Sequence, residues 1–316
     1  MGGENMERKK LLLLNPIEYE HNFDKRALKT LEGTPGLEKL VKKAHKHGIE
    51  RKIRLSYTGS NIKVTPNNFP DIYDIFEEAC ANIFLRDLPE LYMQWDYNVN
   101  AFAVGSQKPI IILNSGAVDL LSNDELLYLI GHEAGHVKSG HMLYHDMATV
   151  LPFLGDILGS VTLGIGSLVS SGVELALLYW RRMSELTADR AGLLACQDKN
   201  VAFSTLMKMG GVPQTYFDKM KPDDFVKQAE DFKDFNFSSM DKIGKTILIS
   251  MSTHPWTVLR TSELIKWLST GQYDEIIEKH GKDSLEELEI TCPKCSRKLS
   301  GEETFCGVCG SKVWKR

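Results

Sequence analysis

The chain has 316 residues, 38 of them basic and 42 acidic, for a formal net charge of −4. A general nucleic-acid binder would carry a basic excess, so the balance argues against one, and the composition is ordinary for a globular protein. The length suits one large domain with a small appendage better than two equal halves.

The N-terminus reads MGGENMERKKLLLLNPIEYEHNF. Its apolar run, Leu11–Leu14, is too short for a signal-peptide core, and no small-residue cleavage site follows. Met6 stands where a myristoylation signal would place Ser or Thr. The expected location is cytoplasmic, with membrane association as the alternative. Residues 16–50 read as helices. Ile53–Tyr57 alternates like a strand, Thr58–Asn61 is turn chemistry, and Ile62–Val64 is the expected partner strand. A helix is predicted from Asp71 to Asn82, with Cys80 as a buried thiol. Leu91–Trp95, Asn98–Val104 and Pro109–Asn114 read as strands, and Pro109 confines the last to a sheet edge or a strand start.

The segment Leu126–His145 carries the chemistry. Ser122 and Glu125 form a capping box, so the apolar-periodic run after them is a helix. Within it stand His132, Glu133 and His136 in the H-E-x-x-H pattern of zinc peptidases. Residues i and i+4 share a helix face, so both imidazoles reach one zinc at about 2.0–2.1 Å. Glu133 lies toward the open side of the metal, where a general base belongs. A surface helix with two incidental histidines is the bland reading, and the capping box weighs against it.

A catalytic zinc takes a third protein ligand. One peptidase class uses H-E-x-x-H-x-x-G-x-x-H, but Ser139 and Met142 occupy its glycine and histidine positions, which excludes that class. His141 is rotated about 140° from His136 on a helix of 3.6 residues per turn, so it reads as a core or supporting histidine, and His145 has no better claim. Glu174 and Glu185 remain. Glu185 is favoured because Asp189 follows it at i+4, where a carboxylate can accept the free N–H of a zinc-bound histidine. The bland reading of Glu185 is a solvated helix face.

Between these segments, Ile157–Val173 holds no charge and four glycines. Residues 151–180 read either as a buried helical hairpin broken near Gly164–Gly166 or as a membrane contact, since a span needs roughly 20 apolar residues. Residues 201–280 are mostly helical: Pro222-Asp223-Asp224 starts one helix, and Thr253-His254-Pro255 another. Gly281–Thr291 is a charged linker. Cys292, Cys295, Cys306 and Cys309 then form two C-x-x-C knuckles, the pattern of a zinc ribbon whose four thiolates close a tetrahedron. Paired redox cysteines are the rival reading.

His132–His136, Ser139-Gly140-His141 and the later SELTADRAG together resemble the HtpX and CAAX-prenyl-endopeptidase family of zinc metalloendopeptidases. Asn100–Ala103 with the strand Pro109–Asn114 is similar to that family's active-site edge strand, and Thr253-His254-Pro255 followed by Arg260 to its late His-Pro motif. The resemblance covers roughly residues 60–270. It implies a mainly α (α+β) zincin-like fold of the gluzincin type, with a small edge-strand sheet, a helical catalytic core and, here, a small C-terminal ribbon. HtpX-like members carry membrane helices before the motif, and residues 1–125 show no such stretch, which favours a soluble branch.

The expected organisation is an N-terminal helical and strand segment at 1–60, a metallopeptidase domain at 61–280, a linker at 281–291 and a ribbon at 292–316. The expected activity is hydrolysis of peptide bonds by a zinc-activated water. Glu133 is the general base, and His254 is a donor to the oxyanion; the rival reading of His254 is that it only helps start a helix. His132, His136 and Glu185 hold the catalytic zinc, with Asp189 and Arg260 behind them. Cys292, Cys295, Cys306 and Cys309 hold a structural zinc. The expected partner is a polypeptide lying along Pro109–Asn114, with no clear nucleic-acid role. A silent adaptor that uses its ribbon and a membrane-associated quality-control protease are the competing functions.

Overall fold

The computed structural model describes residues 8–46, 48–149, 166–217, 219–231 and 256–282, together with 292, 294–295, 297–299 and 305–311 around the C-terminal cysteines. Helices α1 (Pro16–Tyr19), α2 (Asn22–Glu32), α3 (Leu37–Lys46) and α4 (Ile49–Ser60) lead into strand β1 (Ile62–Lys63) and helix α5 (Pro70–Asn82). Strands β2 (Glu90–Gln94), β3 (Ala101–Val104) and β4 (Ile110–Asn114) follow, then α6 (Ser115–Leu120) and α7 (Asn123–Ser139). Residues 142–149 form a further helix, α8. The long α9 (Gly166–Cys196), α10 (Lys199–Met209), α11 (Pro222–Asp231), α12 (Thr257–Ser269) and α13 (Gln272–His280) complete the order. The chain is mainly helical around a small mixed sheet, as expected.

Two sequence expectations fail, each for a physical reason. Residues 53–57 lie in helix α4, not in a strand, and the helix runs on through Ser60 where a turn was expected. Ile53 and Tyr57, four apart, pack on the sheet face formed by Tyr92, Phe102, Val104, Ile110 and Ile112, while Leu55 points outward. The period is helical, and the apparent alternation came from counting Leu55 as buried. Strand β1 therefore has no partner there and pairs antiparallel with β2, Ile62 opposite Met93.

The second failure concerns Pro109–Asn114. The sheet order is β1-β2-β4-β3, so β4 is interior, parallel to β2 and antiparallel to β3. All five β4 residues are buried, as a continuous apolar run in a doubly covered strand should be. Pro109 sits just before the strand, where its missing N–H costs no ladder bond. The edge strands are β1 and β3.

The core runs between the sheet and α7, joined by α5, α9, α10 and α12. A second cluster ties α2 and α3 to Leu177, Trp180, Met183 and Leu186 of α9. Helices α7 and α9 approach unusually closely. A Cβ at Gly131 would fall 2.3 Å from the Ala195 methyl, and one at Gly135 would fall 2.3 Å from the Ala191 methyl. Small residues on both faces let the backbones nearly touch. Gly192 answers from α9, where a Cβ would meet the Tyr128 carbonyl at 2.9 Å.

Among the described residues no helix is long and apolar enough to cross a membrane. Of the uncharged stretch Ile157–Val173, residues 157–165 lie outside them while 166–173 belong to α9, and His254 and Pro255 also lie outside them.

Candidate metal centre

Helix α7 is fixed at both ends. Ser122 Oγ accepts from the Glu125 N–H while the Glu125 carboxylate accepts from the Ser122 N–H, and Gly140 closes the C-terminus with a left-handed φ of 74°. His132, Glu133 and His136 stand in its buried stretch, each at 5% exposure or less. Helix α9 supplies Glu185, whose Oε2 lies 3.3 Å from His132 Nε2 and whose Oε1 lies 3.6 Å from His136 Nε2. Ligands bound at about 2.0–2.1 Å around a tetrahedral zinc sit about 3.3 Å from one another. The donor set, two imidazoles and a carboxylate at this spacing, fits zinc.

Each histidine has its far nitrogen engaged. His132 Nδ1 meets Asp189 Oδ1 at 3.1 Å. Asp189 also accepts from Tyr128 Oη at 3.0 Å and from Arg260 Nε at 2.7 Å, with a second Arg260 bond through Nη2. A carboxylate only accepts, so His132 carries a proton on Nδ1, and Nε2, which faces Glu185, is the nitrogen left to take a metal. Burial resists the Asp189 charge, but Arg260 outweighs it and holds the group near 2. Burial also pulls His132 down, yet its bonds to Asp189 and Glu185 carry it up to about 9.

His136 Nδ1 meets His141 Nδ1 at 2.8 Å, and His141 Nε2 faces Asp24 Oδ2 at 3.3 Å. Burial pulls His136 down to about 4 despite its bond to Glu185, so its ordinary form is the neutral one. Glu133 Oε1 lies 3.8 Å from His132 Nε2. Burial, with Glu185 adding to it, pushes the Glu133 carboxyl up to about 7, while the charges of His132 and Arg260 and the Ala103 N–H oppose the rise.

The structure therefore brings together His132, Glu133, His136, Glu185, Asp189 and Arg260. Arg260 is 3% exposed and bridges the two carboxylates, with Nη1 3.5 Å from Glu185 Oε2. His141 stands behind His136, with the two Nδ1 atoms in contact. Asp24 and Tyr128 were not anticipated. Tyr128 sits at i−4 from His132 on the same helix face, a usable signal, whereas no spacing rule reaches Asp24. His254 lies outside the described residues.

The four ribbon cysteines form no disulfide, and their sulfurs lie within 4.8 Å of one another. Cys292 and Cys309 sulfurs are 3.5 Å apart, as are those of Cys295 and Cys306. That is far outside disulfide length and near the sulfur spacing of about 3.8 Å that zinc–thiolate bonds of 2.3 Å imply.

Residues 66–268 match Peptidase family M48. The chain is 30% identical over 274 residues to the plastoglobule-localized metallopeptidase 48, chloroplastic, of Arabidopsis thaliana, an overlap of 86% of this chain and 78% of that one. It is 28% identical over 240 residues to the protease HtpX homolog 2 of Methanosarcina mazei, covering 68% and 78% of the two chains. No solved structure matches it. A buried H-E-x-x-H helix with a glutamate brought alongside it, in a chain with these relatives, belongs to peptidase family M48, the HtpX-like zinc metallopeptidases.

Proposed function

We propose that the protein is a zinc-dependent metalloendopeptidase in which His132, His136 and Glu185 hold the ion and Glu133 is the general base. The observation that carries this reading is the convergence of three donors at tetrahedral spacing with Glu133 beside them. When bound, zinc supplies Lewis acidity that polarises a peptide carbonyl and acidifies water.

Glu133 takes the proton of the attacking water at its carboxylate and returns it to the departing amine. Its buried position suits a group that must both accept and release a proton near neutral pH. Asp189 and Arg260 keep His132 in the tautomer that presents Nε2. His254 is the candidate donor to the oxyanion, and the ribbon cysteines are candidates for a second, structural zinc.

The substrate is placed along β3, not along Pro109–Asn114. The bonded pairs between β3 and β4 include Asn100 with Asn114, so 102 and 104 also face inward. The backbone groups of Ala101 and Ala103 therefore point out from the sheet, Ala103 toward Glu133. An extended peptide added to this edge would lay its scissile bond beside the base. Glu133→Gln tests the reading: zinc content is expected to hold while cleavage of an unfolded polypeptide falls by about 10²–10⁴. Cleavage near the wild-type rate would refute the role of Glu133.

A further inference from the structure

His132 is held directly by a carboxylate. His136 is not, and the chain of groups behind it is unusual. We infer that Asp24, acting through His141, is the positioning residue for His136. This rests on the proposed ligand set of His132, His136 and Glu185.

The proton positions follow from geometry. His21 N–H donates to Thr187 Oγ1 at 3.0 Å, and Thr187 Oγ1 donates its own proton to Asp24 Oδ2 at 2.6 Å. Asp24 Oδ2 is thus an acceptor. The same oxygen faces His141 Nε2 at 3.3 Å, so that nitrogen must carry a proton, since two lone pairs would repel. A neutral His141 then has a bare Nδ1. His136 Nδ1 lies 2.8 Å from it, so His136 is the donor and carries its proton on Nδ1. Its Nε2 lone pair is left for the metal. One carboxylate fixes two tautomers in series.

The charge balance points the same way. Asp24 is 1% exposed. Among the described residues no Lys or Arg pairs with it, and its Oδ1 is buried without a hydrogen-bond partner. What meets its charge in the protein is Thr187 and His141, not a Lys or Arg side chain. A dication held by His132, His136 and Glu185 would add positive charge at the far end of the relay and would make the His136 N–H a stronger donor. Asp189, by contrast, is answered locally by Arg260.

The relay also accounts for the cluster of His136, His141 and His145. The Nδ1 atoms of the first two are spent on each other, and His145 Nε2 meets Ser184 Oγ at 2.9 Å. Hydrogen bonds satisfy the group without a further ion. Asp24 sits on α2, before residue 66 where the family match begins, so the device is built from a part of the chain outside that match.

The test is metal affinity of the full chain, read by Co²⁺ titration and Zn²⁺ competition. A four-thiolate site with Co²⁺ shows an intense sulfur charge-transfer band that a His/Glu site lacks, so the two sites separate in one sample. Asp24→Asn and His141→Leu are expected to weaken the His/Glu site about 10–100-fold, with the metal-free melting temperature held. His141→Gln is expected to recover most of the affinity, because its amide oxygen can accept from His136 and its NH₂ can donate to Asp24. A purely structural histidine would tolerate Leu at least as well as Gln, and that ranking would overturn the proposal. Unchanged affinity in Asp24→Asn would overturn it too. Glu185→Ala separates the two levels. If it leaves the His/Glu site intact, the ligand set is wrong; if it empties that site while Asp24→Asn and His141→Leu bind normally, only the relay is wrong.

Discussion

The approach of α7 to α9 sets where Glu185 and Asp189 stand, and Gly135→Ala is the sharpest probe of it. The new methyl would lie 2.3 Å from the Ala191 methyl, against about 3.5–4.0 Å for carbon atoms in contact. Both partners are fixed to helix backbones, so the helices must part by more than about 1 Å. Replacing helical Gly by Ala gains about 1 kcal/mol of propensity, while overpacking a core costs roughly 1–3 kcal/mol. With no flexible side chain to yield, the cost falls at the upper end. The net expectation is a loss of about 1–2 kcal/mol, or a drop of roughly 2–4 °C in Tm for each kcal/mol. The same displacement widens the 3.3 and 3.6 Å separations between Glu185 and the histidines. A misplacement near 1 Å at a reacting centre costs on the order of 10² in rate. Melting, zinc competition and peptide cleavage on Gly135→Ala, Ala191→Gly and the double variant form a cycle. The double variant is expected to regain stability and zinc affinity together. A single Gly135→Ala variant at least as stable and as active as wild type would show that the close approach is not required, and the packing argument would fail.

Burial, with Glu50 adding to it against the Gly105 N–H, pushes Asp146 from 3.8 up to about 7. A carboxyl raised in the folded state stabilises fully below its unfolded value, and that contribution is lost as pH rises through about 7. Asp146→Asn is therefore expected to raise Tm at pH 8 and to change little at pH 4 in thermal melts, and a pH-independent difference would contradict the assignment. His254→Ala is expected to lower kcat by about 10²–10³ with zinc content and Tm unchanged; a lower Tm with normal turnover would make His254 structural. A chain ending at Gly281 is expected to lose one zinc and still cleave a small peptide, because four thiolates leave no open metal position; a folded but inactive truncation would refute that separation.

The sequence pattern was readable where one element carries the whole signal. Helix α7 has its cap, its period and both metal-facing histidines within one stretch. Glu185 was reachable because Asp189 lies four residues on, and the structure puts both on the face turned to His132. Errors arose where a neighbour decides the outcome. Ile53, Leu55 and Tyr57 fit either period until the sheet face shows which of them it covers. Pro109 is compatible with an edge or with a strand start, and only the pairing of β4 on both sides chooses between them.

The support behind the metal-facing histidines explains why a local motif predicts the chemistry better than the site. Four residues on one turn place two imidazoles, but the angle and tautomer of each ring are set from elsewhere. His132 depends on Asp189 of α9 and Arg260 of α12, and His136 on His141 and, through it, Asp24 of α2. His21 reinforces the last link from both ends: its N–H bonds Thr187 of α9 and its Nε2 meets Glu263 of α12 at 3.1 Å. The start of α2 is thereby tied to the same two helices that orient His132. Two carboxylates on different helices steer the two rings, and a shared set of contacts holds those helices in register. Displacing α2 therefore acts on His136 through His141 and on His132 through α9 and α12, so the metal centre depends on packing well beyond its H-E-x-x-H turn.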